Sequence, residues 1–173
     1  VDLLLRAAAG LPGVWRLRIA GDGPALPGLR RLAEELGIAA RVDFDGPIPS
    51  GQVPAYLRDV DVLALTSRTL PNWKEQFGRV LIEAMACGVP VIGSRCGEIP
   101  HVIGDAGLIV PEEDIDALRA GLLQFMQNDD LRREFSRRGR QRVLEHFTQA
   151  SIAAETVAIY RSLSAPGAVV PLD

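Results

Sequence analysis

Two glutamates separated by seven residues flank a glycine in the stretch Glu75-Gln76-Phe77-Gly78-Arg79-Val80-Leu81-Ile82-Glu83-Ala84-Met85-Ala86-Cys87-Gly88-Val89-Pro90-Val91. The order is a loop carboxylate, a glycine at a helix start, then a carboxylate inside the helix. A helix N-terminus points unpaired N–H groups and a partial positive charge outward. Gly78 has no side chain, so an anion can approach the backbone closely. These are the parts of a diphosphate site without a metal. Glu83 falls roughly 8–9 Å along the helix axis, at 1.5 Å per residue. That is the span from a diphosphate to the ribose of the same nucleotide, whose two hydroxyls a carboxylate can accept. Glu75 falls on the other side of the phosphates, where a sugar ring would sit. The bland alternative is a solvated loop acid and a surface helix acid. Glu83, however, is flanked by Leu81, Ile82, Ala84 and Met85. A charge in so apolar a helix is costly without a partner.

The elements that must position this motif alternate between strand and helix. Val1 to Ala9 reads as helix from the first residue, as expected of a piece excised from something longer. Trp15–Ala20, Arg41–Asp45, Val62–Leu65, Val89–Ile92 and Gly107–Val110 read as short strands. Leu29, Leu32, Ala33 and Leu36 have helical spacing, with Gly37 as a cap. Ser50 is expected to cap a helix through Tyr56 and Leu57, with Pro54 in its first turn. A polar loop from Thr66 to Gln76 leads into a helix over about 77–87, ended by Gly88. A short helix follows at Glu98–Val102. Ile115, Leu118, Leu122 and Met126 mark another, and two more patterns cover roughly 130–146 and 149–163. This alternation predicts an α/β, Rossmann-like parallel sheet with helices on both faces. Ligands then bind beyond the carboxyl ends of the strands, where the loops at Gly21–Pro24, Gly46–Ser50 and Thr66–Gln76 fall. Residues 164–173, with two prolines and a glycine, are expected to be a flexible tail.

The spacing Glu, seven residues, Glu, followed by Ala84-Met85-Ala86-Cys87-Gly88-Val89-Pro90-Val91, resembles the signature of the family-four, group 1 retaining glycosyltransferases with GT-B fold. The likeness continues at Gly21-Asp22-Gly23-Pro24, at Val42, Phe44 and Gly46, at Tyr56-Leu57 before Asp61-Val62-Leu63, and at Gly107-Leu108. It runs to about Leu163. It implies that residues 1–163 form the nucleotide-sugar donor-binding domain, the C-terminal half of a GT-B enzyme. The resemblance implies that Glu75 binds donor-sugar hydroxyls and positions the leaving group. The backbone of Phe77, Gly78, Arg79 and Val80 would hold phosphate or sugar, and Glu83 the ribose. The turn at Gly46-Pro47-Ile48 would offer backbone hydrogen bonds to the base. Gly21 and Gly23 would let the first loop approach the phosphates. It also implies no metal, no cofactor and retention of anomeric configuration. An Arg and a Lys of the family lie upstream of Val1, with the first strand and the N-terminal acceptor domain. The isolated chain is therefore expected to bind donor weakly and to transfer nothing. Arg68 or Lys74 in the intervening loop is a candidate replacement for part of that charge, against a reading as solvated loop charges.

Composition narrows the classes further. The net charge is −3 with a pI near 5.5, which argues against a nucleic-acid binder. Lys74 is the only lysine. No apolar run reaches membrane-spanning length and no signal-peptide pattern is present, so a cytoplasmic setting is expected. Peripheral membrane contact of the full-length protein stays open. Cys87 and Cys96 lack metal spacing and read as free thiols, Cys87 in the core and Cys96 on a loop facing the site. Asp43, Asp45, Asp59 and Asp61 resemble paired metal-binding aspartates but read as the polar face of a strand and a turn. Gly21 and Gly23 lack the third glycine of a dinucleotide fingerprint. His101 and His146 read as helix-end or surface residues. The arginines between Arg132 and Arg142 read as a solvated helix face. The helix with Ile152, Val157, Ile159, Tyr160 and Leu163 is expected to carry an orphaned apolar face. Competing readings are a non-catalytic nucleotide-binding or interaction module on the same fold, and a GT-B sugar-nucleotide epimerase, for which no acid and base pair is evident.

Overall fold

The computed structural model describes residues 1–163. The expected tail at 164–173 lies outside them. Five strands and eight α-helices follow one another: α1 (Asp2–Ala9), β1 (Leu17–Ala20), α2 (Leu26–Glu35), β2 (Val42–Gly46), α3 (Val53–Arg58), β3 (Leu63–Leu65), α4 (Arg79–Ala86), β4 (Val91–Ser94), α5 (Ile99–Ile103), β5 (Leu108–Val110), α6 (Ile115–Gln127), α7 (Asp129–His146) and α8 (Gln149–Leu163). All strand pairs are parallel. Hydrogen bonding divides them into two sheets, β1–β2 and β3–β4–β5, where one continuous sheet was expected.

Helices cover both faces of the three-stranded sheet because its strands carry no polar side chain except Ser94. On one face Leu63, Leu65 and Val91 pack against Leu57 of α3, Leu81 and Met85 of α4, Ile99 and Val102 of α5, and Val143 of α7. On the other, Ile92, Leu108 and Val110 pack against Leu4 and Ala7 of α1 and Leu118 and Phe125 of α6. Phe125 is fully buried and meets Phe135 edge to face at 5.8 Å. The β1–β2 sheet instead alternates. Leu17, Ile19 and Phe44 face Leu5 of α1 and Ala33 of α2. Arg16 and Arg18 point away and pair with Asp43 and Asp45 at 3.0 and 2.9 Å. The aspartates that resembled a metal pair are thus engaged by guanidinium groups. Arg18 also stacks on the Tyr56 ring at 4.1 Å, and the Tyr56 hydroxyl donates to Asp45 at 2.8 Å. Burial and the Asp45 charge push the phenol up to about 12.

Local chemistry sets the helix ends. Asp114 accepts the Ala117 N–H and caps α6, and Asn128 accepts the Leu131 N–H and caps α7. Ser50 does not cap α3. It opens a short 3-10 turn, Ser50–Gln52, and Pro54 enters the first turn of α3 from there. Four helices end on guanidinium groups from elsewhere in the chain. Arg119 bonds the Arg6 and Ala7 carbonyls of α1, Arg132 the Phe125 carbonyl of α6, Arg140 the Ala86 carbonyl of α4, and Arg142 the His101 and Val102 carbonyls of α5. The remaining α7 arginines, Arg133, Arg137 and Arg138, pair with Asp130 and Glu134. Much of the charge of this basic helix is therefore engaged by its own acidic residues. No residue of α8 is buried, and Ile159 and Tyr160 are 57% and 65% exposed.

Truncating the ring that centres the α6 side of the core tests this packing. Phe125→Ala is expected to cost about 3–5 kcal/mol, the range for a buried aromatic truncation. Urea unfolding monitored by circular dichroism reads the loss.

Candidate active site

The three loops that follow β1, β2 and β3 lie at the carboxyl edge of the parallel strands. Gly21 donates its N–H to the Gly46 carbonyl at 2.7 Å, which joins the first two loops. Gly21 has φ +117°, and nothing stands within 4 Å of where a Cβ would be, so backbone is open to solvent there. Gly23 is likewise open on that side, and its N–H donates to Asp22. Ile48 is half-buried two residues beyond Gly46.

The third loop runs into α4 through Gly78, whose φ of +74° and ψ of +46° are left-handed. A glycine adopts this conformation without steric cost. The Glu75 carboxylate folds back over the turn. One oxygen accepts the Gly78 N–H at 3.1 Å, and the other accepts the Ser67 hydroxyl at 3.1 Å. The negative charge thus rests on the positive end of the α4 dipole. The Leu81 N–H bonds the Gly78 carbonyl, while the N–H groups of Arg79 and Val80 have no acceptor among the described residues. Glu83 sits further along α4, 38% exposed, with its carboxylate 3.3 Å from the Arg79 guanidinium. A cavity of about 670 Å³ opens beside Glu75, lined by Thr69–Gln76, Gly97 and Glu98.

The family described as "Glycosyl transferases group 1" matches residues 1–142. The N-acetyl-alpha-D-glucosaminyl L-malate synthase of Bacillus anthracis is 37% identical over 147 residues, which are 84% of this chain and 37% of that protein. The structure of Anabaena Alr3699/HepE in complex with UDP superposes with a TM-score of 0.82 at 22% identity, over 92% of this chain and 44% of that one. The C-terminal domain of a group 1 glycosyltransferase, LpcC from Francisella tularensis, superposes at 0.73 and 23% identity, over 86% and 79%. This chain belongs to the group 1 glycosyltransferases. It spans about a third of the length of the curated relative, and its fold is that of the C-terminal half of GT-B enzymes.

Within this glycosyltransferase fold the anticipated residues separate into two groups. Glu75, Gly78, Arg79, Val80 and Glu83 are united at the start of α4. Gly21, Gly23 and Ile48 occupy the neighbouring strand ends, outside the cavity that Glu75 lines. Three expectations change. The Gly78 N–H holds Glu75, so fewer N–H groups are open to an anion. Glu83 is not embedded in apolar surroundings but half-exposed and paired with Arg79, a partnership legible in their i,i+4 spacing. Arg68 is committed to Asp2 at 3.3 Å and Glu113 at 3.5 Å, while Lys74 stays exposed on the same loop. The cysteines also exchange roles. Cys96 is fully buried with its sulfur 3.6 Å from the Thr69 hydroxyl, and Cys87 is only half-buried. Phe77 is 45% exposed and packs edge to face on Phe147, at the corner between α7 and α8.

Several positioning residues escaped the sequence reading. Ser67 holds Glu75, and its own carbonyl accepts the Ser94 hydroxyl. Gly97 lies so close that a Cβ there would collide with the Glu75 carbonyl oxygen, which accepts the Glu98 N–H at 3.3 Å. Glu112 straps the loop by accepting both the N–H and the hydroxyl of Thr69, at 2.6 and 2.8 Å. No spacing rule links positions so far apart. The Thr69 bonds hold the Glu112 carboxyl below its ordinary 4.5. A lowered folded value means the strap contributes above the ordinary carboxylate range and is lost as pH falls through the depressed value. Glu112→Gln is therefore expected to abolish the part of the acid destabilisation that this group causes. Amide exchange of Thr69 and Leu70 followed from pH 6 down to about pH 3 reads it, the wild-type loop loosening and the variant staying flat.

Proposed function

We propose that the chain is the donor-binding half of a retaining glycosyltransferase, which moves a sugar from a nucleotide-diphospho-sugar to an acceptor hydroxyl. The observation that carries this reading is the Glu75 carboxylate held at the α4 N-terminus beside open backbone donors. Arg79 and Val80 offer their N–H groups, and Phe77 its neighbouring backbone, to the diphosphate. Gly78 serves by holding Glu75 rather than by binding phosphate itself. Glu83 accepts the ribose hydroxyls, with Arg79 free to swing from it, because an exposed i,i+4 pair is held by only about 0.3–0.5 kcal/mol. Gly21 and Gly23 admit the phosphates from the other side, and the Ile48 turn meets the base. The UDP in the Anabaena protein's structure supports a nucleotide donor here.

In this reading the α4 N-terminus carries phosphate charge, so no divalent metal and no cofactor is required. Glu75 faces the sugar and the leaving group. The acceptor is bound by a second domain of the full-length protein, in the cytoplasm. No helix among the described residues is long and apolar enough to cross a membrane. Alone, this chain binds donor weakly and transfers nothing.

Titration of the chain with UDP, GDP, ADP and their sugar conjugates tests the site by protein-observed NMR. Shifts are expected on Arg79, Val80 and Glu83. Glu83→Ala should weaken binding about tenfold or more, the worth of a charge-assisted hydrogen bond. In the full-length enzyme Glu75→Gln should lower kcat far more than it changes KM. Absence of any shift in the full-length protein at millimolar donor would sink the reading.

A further inference from the structure

Trp73 lines the cavity beside Glu75 and is 48% exposed. The other tryptophan, Trp15, is half-buried. It donates its indole N–H to the Leu11 carbonyl at 3.2 Å and carries the Arg41 guanidinium at 5.0 Å. Among the described residues the Trp73 indole has no such hydrogen bond, cation or second ring. Nor is the loop free to fold it away. Leu70 and Trp73 exchange backbone bonds at 2.8 and 3.2 Å across a turn whose corners are Pro71 and Asn72. Pro71 fixes its own φ, and Thr69, next to the turn, is tied to Glu112. The indole is thus presented in advance, and little entropy is lost when a ligand meets it.

The rest of the cavity wall selects the ligand. Asn72 and Gln76 bring amides that both donate and accept, Lys74 donates, and Glu75 and Glu98 accept. Two carboxylates against one ammonium disfavour phosphate, and so many polar groups disfavour an acyl chain. One aromatic face among amides and carboxylates suits a pyranose. Its axial C–H groups pack on the negative face of an indole, and its hydroxyls donate and accept at the rim.

We infer that Trp73 is a stacking platform for a pyranose ring of the acceptor, which makes the acceptor a saccharide. The inference rests on Glu75 facing the transferred sugar. Trp73 precedes Glu75 by two residues, so their backbones lie at most about 7 Å apart. The cavity runs from Glu75 back along the loop and is lined by no residue of α4. A ring on Trp73 is therefore on the side away from the α4 backbone donors and next to the transferred sugar, where the accepting hydroxyl must stand. Trp73 adds this one contact to the acceptor site of the second domain.

The test reads the Trp73 and Trp15 indole N–H signals of the full-length protein by NMR, Trp15 serving as the internal control. The probes are the methyl pyranosides of glucose, galactose, mannose and N-acetylglucosamine. Each is added to about 100 mM, because so small a ligand binds in the millimolar range at best. At least one should move Trp73 saturably and leave Trp15 in place, while sorbitol, an open-chain polyol, should not. Trp73→Leu should weaken that binding about three- to tenfold, read on the Asn72 and Gln76 amides, and Trp73→Tyr should keep most of it. Silence of Trp73 towards every pyranoside, an equal response to sorbitol, or unweakened binding in the leucine variant overturns the platform. UDP-glucose, UDP-galactose, UDP-N-acetylglucosamine and GDP-mannose then separate acceptor from donor. The one that fits should move Arg79 and Val80 and leave the pyranoside on Trp73. Displacement of the pyranoside makes the ring the donor's own and overturns the acceptor assignment. A pyranoside response on Trp73, with no response on Arg79 to any nucleotide-sugar, keeps the saccharide subsite and fells the donor reading instead.

Discussion

A carboxylate resting on the end of a helix dipole organises this molecule. Glu75 would be repelled from most of an acidic chain, yet here it accepts one bond from the α4 N-terminus and one from Ser67. Everything around it serves that position. Gly78 supplies the left-handed turn that aims the N–H at it. Ser94 of β4 fixes the Ser67 carbonyl, and Gly97 leaves room for the Glu75 backbone. α4 itself is fixed by Leu81, Ala84 and Met85, all fully buried. The core therefore acts on the site through one helix, and helix and site cannot shift independently.

The loop before Glu75 is long but not loose. Thr69 is tied to Glu112, and Leu70 and Trp73 bond each other across a tight turn. Arg68 connects the loop to α1 through Asp2. These ties reach the segment after β5 and the first helix, so the loop is held from two segments distant in the chain. The bonds to Glu112 matter more than the Arg68 pairs, which are long and exposed.

Much of this was legible in the residues. Short apolar runs marked β3, β4 and β5 and alternation marked β1 and β2, and the Glu75–Gly78–Glu83 spacing marked the residues that gather at the start of α4, because one helix is a rigid ruler. What failed was what depends on distant partners. Ser50 has the side chain of a cap but precedes a 3-10 turn that moves the helix start past it. Glu83 looked buried because its neighbours in sequence are apolar, but Leu81, Ala84 and Met85 take the inward face and leave Glu83 outside. Cys96 does lie in a loop, between β4 and α5, but tertiary packing against α5 buries its thiol. Ser67, Gly97 and Glu112 carry no local pattern at all, since each acts through a segment far along the chain.

The near-absence of lysine also acquires a physical sense. Guanidinium groups close the carboxyl ends of α1, α4, α5 and α6, a task that suits a planar fork better than an ammonium. Arginine has taken over the structural cations, and Lys74 stands by itself on the loop that lines the cavity beside Glu75. The chain therefore holds a single side-chain primary amine, placed on the wall of the cavity beside Glu75. An amine-reactive fluorophore or crosslinker, applied with the N-terminus blocked, would mark that wall and no other part of the surface.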